Sequence, residues 1–276
     1  MRRREVVFDG LRFPEGCRWH DGRLWFSDMH TGTLYSANPD TADLRIEFTV
    51  DARLSGIDWL PDGTLVVSSM LDRKVLRRRP GGEVEIHADL SAATPYPIND
   101  LIVDRSGRII VGGFGYDLYG GGEKQPGPLI GVGADGTVDV LADDLDFPNG
   151  MVLLSDGTLV VAETWGAQLR AYDIAETGAL ENGRIWAALP EGSTPDGICS
   201  DAEDAVWVSS IVNGRFLRVR EGGEVLDSVE LEGRLAVDCI LGGADGRTLL
   251  MSTANSFQPD ETEVREGRIE RLRLSA

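Results

Sequence analysis

The stretch Asp146–Thr164, DFPNGMVLLSDGTLVVAET, decides how the rest of the chain is read. It holds a short apolar run, a turn at Asp156-Gly157 and a second run of alternating polarity, which is the pattern of an antiparallel hairpin. A hairpin alone does not require the tripeptide at its head, Pro148-Asn149-Gly150.

Outward from this segment the same unit returns. CRWHDGRLWFSD turns at Asp21-Gly22, IDWLPDGTLVVSS at Asp62-Gly63, LIVDRSGRIIVGG at Ser106-Gly107, ICSDAEDAVWVSS near Asp204 and ILGGADGRTLLMS at Asp245-Gly246. The turns stand 41 to 50 residues apart, and most hairpins are followed by further strand-like segments such as QLRAYDI and RFLRVREGGEVLDSVEL. No stretch carries a convincing helical period. Four short strands per unit at this spacing are the mark of a propeller blade, so six units predict an all-β, six-bladed β-propeller. A β-sandwich also strings short strands through Gly- and Asn-containing turns, but it gives no reason for six copies of one hairpin. Residues 1–276 are then expected to form one domain, with REVVF near the N-terminus pairing with the final RIERLRLSA so that both close the same blade.

Composition bounds the partners. The chain has a net charge of −19 and a pI near 4.5, which disfavours nucleic acid and anionic membrane surfaces and favours cations. MRRREVVFDG lacks the apolar segment of a signal peptide and no run is long enough to span a bilayer, so the expected location is cytoplasmic. Cys17, Cys199 and Cys239 lie far apart without a CxxC, as free buried thiols do. His20, His30 and His87 show no HxxxH or HExxH spacing, which leaves little for a histidine metal site or a Ser-His-Asp triad.

Counting back from each turn shows what heads each unit. Asn149 precedes Gly157 by eight residues, Asn99 precedes Gly107 by eight, Asp196 precedes Asp204 by eight, Asp238 precedes Gly246 by eight and Glu15 precedes Gly22 by seven. The second unit has Ser55 and Gly56 there. The first strand of each propeller blade lines the central channel, so these positions are expected to form a ring of oxygen-bearing side chains. Unpaired carboxylates in a confined channel are costly, and a cation relieves them. A P-x-G tripeptide can also be mere turn punctuation; three copies in register with the hairpin favour a ligand mount, with proline fixing φ and glycine letting the backbone approach the axis. Glu, Asp and Asn oxygens suit Ca²⁺, Mg²⁺ or Mn²⁺, and Zn²⁺ or Fe²⁺ where waters complete the shell.

The pattern FPEG…W…G.LWFSD, NDLIVD..G.I.VGGFG.D, FPNGM.L..DGTLVVAET and PDGIC.D…..WV resembles the gluconolactonase, regucalcin and luciferin-regenerating-enzyme family over essentially the whole chain. The resemblance implies a six-bladed propeller with one divalent metal ion, Ca²⁺ first, in the channel and lactone hydrolysis as its activity. By the same resemblance Glu15, Asn149 and Asp196 match the metal ligands, Asp196 is also the general base, Asn99 contacts water or substrate, and Asp117 in GFGYD matches an acidic substrate-binding group. One departure is Pro97, which stands where family members acting on sugar lactones are expected to carry an Arg, and this puts sugar lactones in doubt.

The reaction expected is opening of a cyclic ester by activated water, with Asp196 taking the proton and Asn99 helping to stabilise the oxyanion. Trp165, His30, Phe114 and Tyr116 are candidates for an apolar rim that grips a small-molecule substrate, and the loop-like segment from Tyr116 to Pro128 is placed to cover the channel mouth. Trp19, Trp25, Trp59, Trp186 and Trp207 fit packing between blades. Hydrolysis of another ester such as a phosphotriester, a biosynthetic reaction on the same scaffold, and a non-catalytic calcium-binding role are the rival readings. Either a monomer or a small homo-oligomer is compatible with the sequence.

Overall fold

A computed structural model describes residues 3–274. Twenty-four strands fall into six four-stranded antiparallel sheets, and the protein is a six-bladed β-propeller. The inner strands of blades 1 to 6 are Pro14–His20, Leu54–Trp59, Ile98–Val103, Pro148–Leu153, Pro195–Ser200 and Leu235–Gly242. Each is joined to the second strand of its blade by one of the turns read from the sequence. Gly63, Gly107, Gly157 and Gly246 all have positive φ there, and in blade 5 Asp204 takes the left-handed conformation at φ 57° without being glycine.

Blade 6 is built from both ends of the chain. Glu5–Leu11 lies outermost and pairs antiparallel with Gly267–Arg273, Glu5 opposite Arg271 and Leu11 opposite Gly267. Met1, Arg2, Ser275 and Ala276, which flank these pairing segments, lie outside the described residues.

The core sits between blades rather than under one sheet. Val160 and Leu169 of blade 4 pack with Val206 and Leu217 of blade 5, and the same kind of cluster recurs at every blade boundary, ending with Phe8 and Ile269 of blade 6 against Leu24 and Phe26 of blade 1. Burying large aliphatic side chains on both faces of each blade at roughly 25 cal/mol per Å² is what holds the ring closed. Trp207 and Trp186 are fully buried in these seams, and the Trp25 and Trp59 rings meet edge to face at 5.3 Å. The three cysteines are free and buried, with the Cys199 and Cys239 sulfurs 4.0 Å apart. Among the described residues no helix is long and apolar enough to cross a membrane.

Candidate active site

The channel ring is set by the second residue of each inner strand. Glu15, Ser55, Asn99, Asn149 and Asp196 occupy it in blades 1 to 5, all buried. Blade 6 differs from the count made along the sequence, because its hairpin arms are longer: the ring place belongs to Val237, and Asp238 stands one residue further on, where blades 1, 2, 4 and 5 have Gly16, Gly56, Gly150 and Gly197. The matching pair of hydrogen bonds shows the equivalence, since the Ser27 hydroxyl donates to the Ser55 carbonyl as the Ser209 hydroxyl donates to the Val237 carbonyl. Asp100 of blade 3 holds the same glycine place.

The glycines of the P-x-G tripeptides are therefore explained by the next blade. A Cβ on Gly150 would fall 2.5 Å from the Asp196 carbonyl oxygen, and one on Gly16 would fall 2.5 Å from that of Ser55. Where the next blade carries an aspartate, the missing Cβ makes room for it: a Cβ on Gly56 would meet Asp100 Oδ1 at 2.0 Å and one on Gly197 would meet Asp238 Oδ1 at 1.9 Å.

Two layers of acid result. Glu15, Asn99, Asn149 and Asp196 form the floor of a pocket that opens at one end of the channel. On the other side of that floor, Asp100 and Asp238 join Glu15, Asn149 and Asp196 around a cavity of about 10 Å³, close to the size of one water-sized sphere. The lower pair is held by backbone: Asp238 accepts from the amides of Cys17 and Cys239, and Asp100 accepts from the amide of Leu101 and from Arg18 Nη2 at 3.4 Å.

The floor is electrostatically unbalanced. Burial, with Asp196 alongside, holds Glu15 well above the ordinary carboxylate range; burial, with Asp238 and Asp100 beneath, does the same to Asp196. Burial and Asp100 push Asp238 up to about 7. Glu15 Oε1 is buried and has no hydrogen-bond partner. Four buried carboxylates around one guanidinium, with an orphaned oxygen among them, are the conditions under which a divalent cation fits, and Glu15, Asn149 and Asp196 are the side chains that would hold it. Among the described residues no three His, Cys, Asp or Glu side chains gather as a metal site; here an amide, Asn149, stands as the third member beside two carboxylates. Asn149 Nδ2 donates to Thr164 Oγ1 at 3.2 Å, which leaves its Oδ1 as the acceptor.

The other residues singled out from the sequence divide. Trp165 and Phe114 line the pocket. Tyr116 sits behind Trp165, its hydroxyl accepting from the indole Nε1 at 2.8 Å. His30 does not reach the pocket: it stacks on Phe13 with ring centroids 5.2 Å apart, and its Nδ1 lies 2.7 Å from Thr262 Oγ1. Burial, then the nearby Arg53 and Arg12, bring His30 down to about 4, so it is neutral. Asp117 is exposed and turned to its own loop, where it accepts from the Gly120 amide at 2.8 Å. That loop does cover the mouth, through Leu118 and Tyr119, with Lys124 Nζ 3.8 Å above the Trp165 ring and the Arg53 guanidinium 4.8 Å from the Tyr119 centroid.

Phe147, Thr164 and Tyr119 are pocket residues that the motif reading left unassigned. The sequence does carry a signal for Phe147, which precedes Pro148-Asn149-Gly150 as Phe13 precedes Pro14-Glu15-Gly16, and both line the pocket. Phe147 holds φ 63°, unfavourable for a bulky residue, and its ring lies against Phe114 at 4.6 Å and Trp165 at 5.7 Å.

The model for the SMP-30/gluconolactonase/LRE-like region matches residues 13–255 of this chain, a span running from the pocket residue Phe13 to the last blade. The chain belongs to that family. Pentonolactonase XacC of Haloferax volcanii is 28% identical over 257 residues, covering 90% of this chain and 84% of the relative. A luciferin-regenerating enzyme superposes with a TM-score of 0.82 at 20% identity, covering 99% of this chain and 96% of the other. Regucalcin of Agrobacterium tumefaciens str. C58, described as a calcium-binding protein, gives a TM-score of 0.81 at 20% identity over 98% of this chain and 93% of its own.

Proposed function

We propose that this protein is a lactonase-type hydrolase that adds water to a cyclic carboxylic ester at the floor of the channel. The observation that carries this reading is the meeting of Glu15, Asn149, Asp196 and Asn99 at the base of an apolar pocket, in a family with a curated relative named a pentonolactonase. Glu15, Asn149 and Asp196 hold one divalent cation, Ca²⁺ first and Mg²⁺, Mn²⁺, Zn²⁺ or Fe²⁺ as alternatives on the same oxygen ligands. When bound, such an ion supplies Lewis-acid polarisation of the ester carbonyl and acidifies water.

The chain's own residues do the rest. Asp196 accepts the proton of the attacking water at an Oδ oxygen, as the water oxygen bonds to the acyl carbon. The ring C–O bond then breaks, and the same carboxyl returns the proton to the departing ring oxygen. Asn99 accepts from Ser55 Oγ at 3.4 Å through Oδ1, which leaves Nδ2 to donate to the developing oxyanion, a role typically worth about 10² to 10³ in rate. Phe114, Phe147 and Trp165 keep bulk water from the floor. We place the enzyme in the cytoplasm, acting on a free small molecule as a monomer or small homo-oligomer.

The test is acid release from a panel of γ- and δ-lactones, followed by pH indicator, with stripped protein resupplied with each of the five cations in turn. Ring opening that needs a cation supports the reading. Unchanged hydrolysis after verified removal of all metal overturns the cation's part in it, and no hydrolysis of any lactone overturns the whole.

A further inference from the structure

The floor of the pocket is polar and its walls are not. Above Glu15, Asn99, Asn149 and Asp196 rise Phe13, Met29, Met70, Phe114, Phe147 and Trp165, enclosing a cavity of about 100 Å³. Two of the few polar wall groups are already engaged with the protein. The Trp165 indole donates to Tyr116, and the Thr164 hydroxyl donates to the Pro195 carbonyl while accepting from Asn149. Pro97, whose carbonyl accepts from the Phe114 amide at 2.9 Å, adds no side-chain donor behind that wall.

The apolar lining continues out of the cavity. Val212, Phe257 and Tyr119 line the same pocket and are 58%, 40% and 37% exposed, so large apolar side chains continue the lining out to the protein surface.

We infer that the substrate is a lactone whose ring carries an apolar arm, alkyl or aryl, which runs from the acidic floor along these walls to the rim at Val212 and Phe257. This rests on the lactonase reading above and narrows it. A polyhydroxylated lactone brings several hydroxyls into contact with phenyl, indole and thioether surface. Each hydroxyl buried there without a partner weakens binding by between about fivefold and a hundredfold. Each methylene laid against the same surface strengthens it by up to about fourfold. The floor groups do not rescue the sugar, because the reacting ester and the cation occupy them.

The experiment compares initial rates on γ-butyrolactone, γ-hexalactone, γ-octalactone, γ-decalactone, dihydrocoumarin and D-glucono-δ-lactone, using the whole chain loaded with the cation that supports the highest rate. The expected result is kcat/KM rising along the γ-lactone series by up to about fourfold per methylene, with gluconolactone at least about 100-fold below γ-decalactone. In the double variant Val212→Ser and Phe257→Ser the slope flattens over the longer members of the series; both side chains are exposed, so the change is not expected to unfold the blades. A flat or falling series, or a preference for gluconolactone, overturns the inference and leaves the lactonase reading in place. If no lactone is opened, both fall together.

Discussion

The Thr164 hydroxyl of blade 4 donates to the Pro195 carbonyl of blade 5 at 2.8 Å, and the same oxygen accepts from Asn149 Nδ2 at 3.2 Å. One hydroxyl thus fixes the orientation of Asn149 and ties it to the strand that starts with Pro195 and presents Asp196. Hydrogen-bond partners that orient a metal-ligating side chain typically govern metal affinity and activity by about 10- to 100-fold.

Thr164→Val keeps the shape and removes both bonds. Cation affinity and kcat/KM are expected to drop by about 10- to 100-fold, with the Tm little changed, and Thr164→Ser should restore most of the loss. Calorimetric titration of stripped protein and a pH-stat assay read the two quantities. A Val variant with wild-type affinity and rate would show that the tie is dispensable.

Gly197→Ala tests the packing rule at the heart of the ring. Its Cβ would lie 1.9 Å from Asp238 Oδ1 and 2.6 Å from Asp238 Cβ, a clash that buried β-strands cannot relieve without shifting a blade. Overpacking of this kind costs about 1 to 3 kcal/mol or more. Gly82→Ala, in an exposed turn whose nearest heavy atom is 3.2 Å away, serves as control. Urea unfolding should separate the two by at least about 1 kcal/mol.

The propeller was legible because its information is periodic: the turns at Gly22, Gly63, Gly107, Gly157, Asp204 and Gly246 repeat at a blade's length, and each heads the same strand pair. Asn99, Asn149 and Asp196 were legible for the same reason, since each stands eight residues before its turn, and Glu15, at seven, through the P-x-G tripeptide it shares with Asn149 and Asp196. The same count of eight puts Asp238 in the ring, where the structure has Val237. The offset grows by one in blade 6, and a shift of one residue in a strand changes which side chain meets the axis. Its true place, in the space left by Gly197, depends on contact between blades, to which no offset within a blade is sensitive. His30 and Asp117 went elsewhere for local reasons: one is captured by Thr262 and Phe13, the other by the Gly120 amide.

Stability of the cation-free protein should fall as pH rises. Burial and neighbouring carboxylates raise Glu15 and Asp196 well above their ordinary range and Asp238 to about 7, so the folded form holds more protons than the unfolded chain. The stability associated with those protons is fully present below the unfolded value of about 4 and is lost as pH climbs through the folded values. Stripped protein is expected to show a Tm that declines between about pH 5 and about pH 8. Added divalent cation should raise Tm more at the upper end than at the lower. A Tm that is level across the range, with and without cation, would contradict the charge imbalance described for the floor.

Asp196→Asn separates chemistry from folding. The amide keeps a ligating oxygen and nearly the same volume but cannot take a proton, so turnover is expected to fall by about 10² to 10⁴ while substrate still binds. In stripped protein the same change removes one buried carboxylate from beside Asp238, Asp100 and Glu15, and the Tm at neutral pH should rise. Activity lost with stability gained is the signature of a residue retained for chemistry at a structural cost. A variant that loses both would make Asp196 a structural member of the ring, and one that keeps full activity would move the proton acceptor elsewhere.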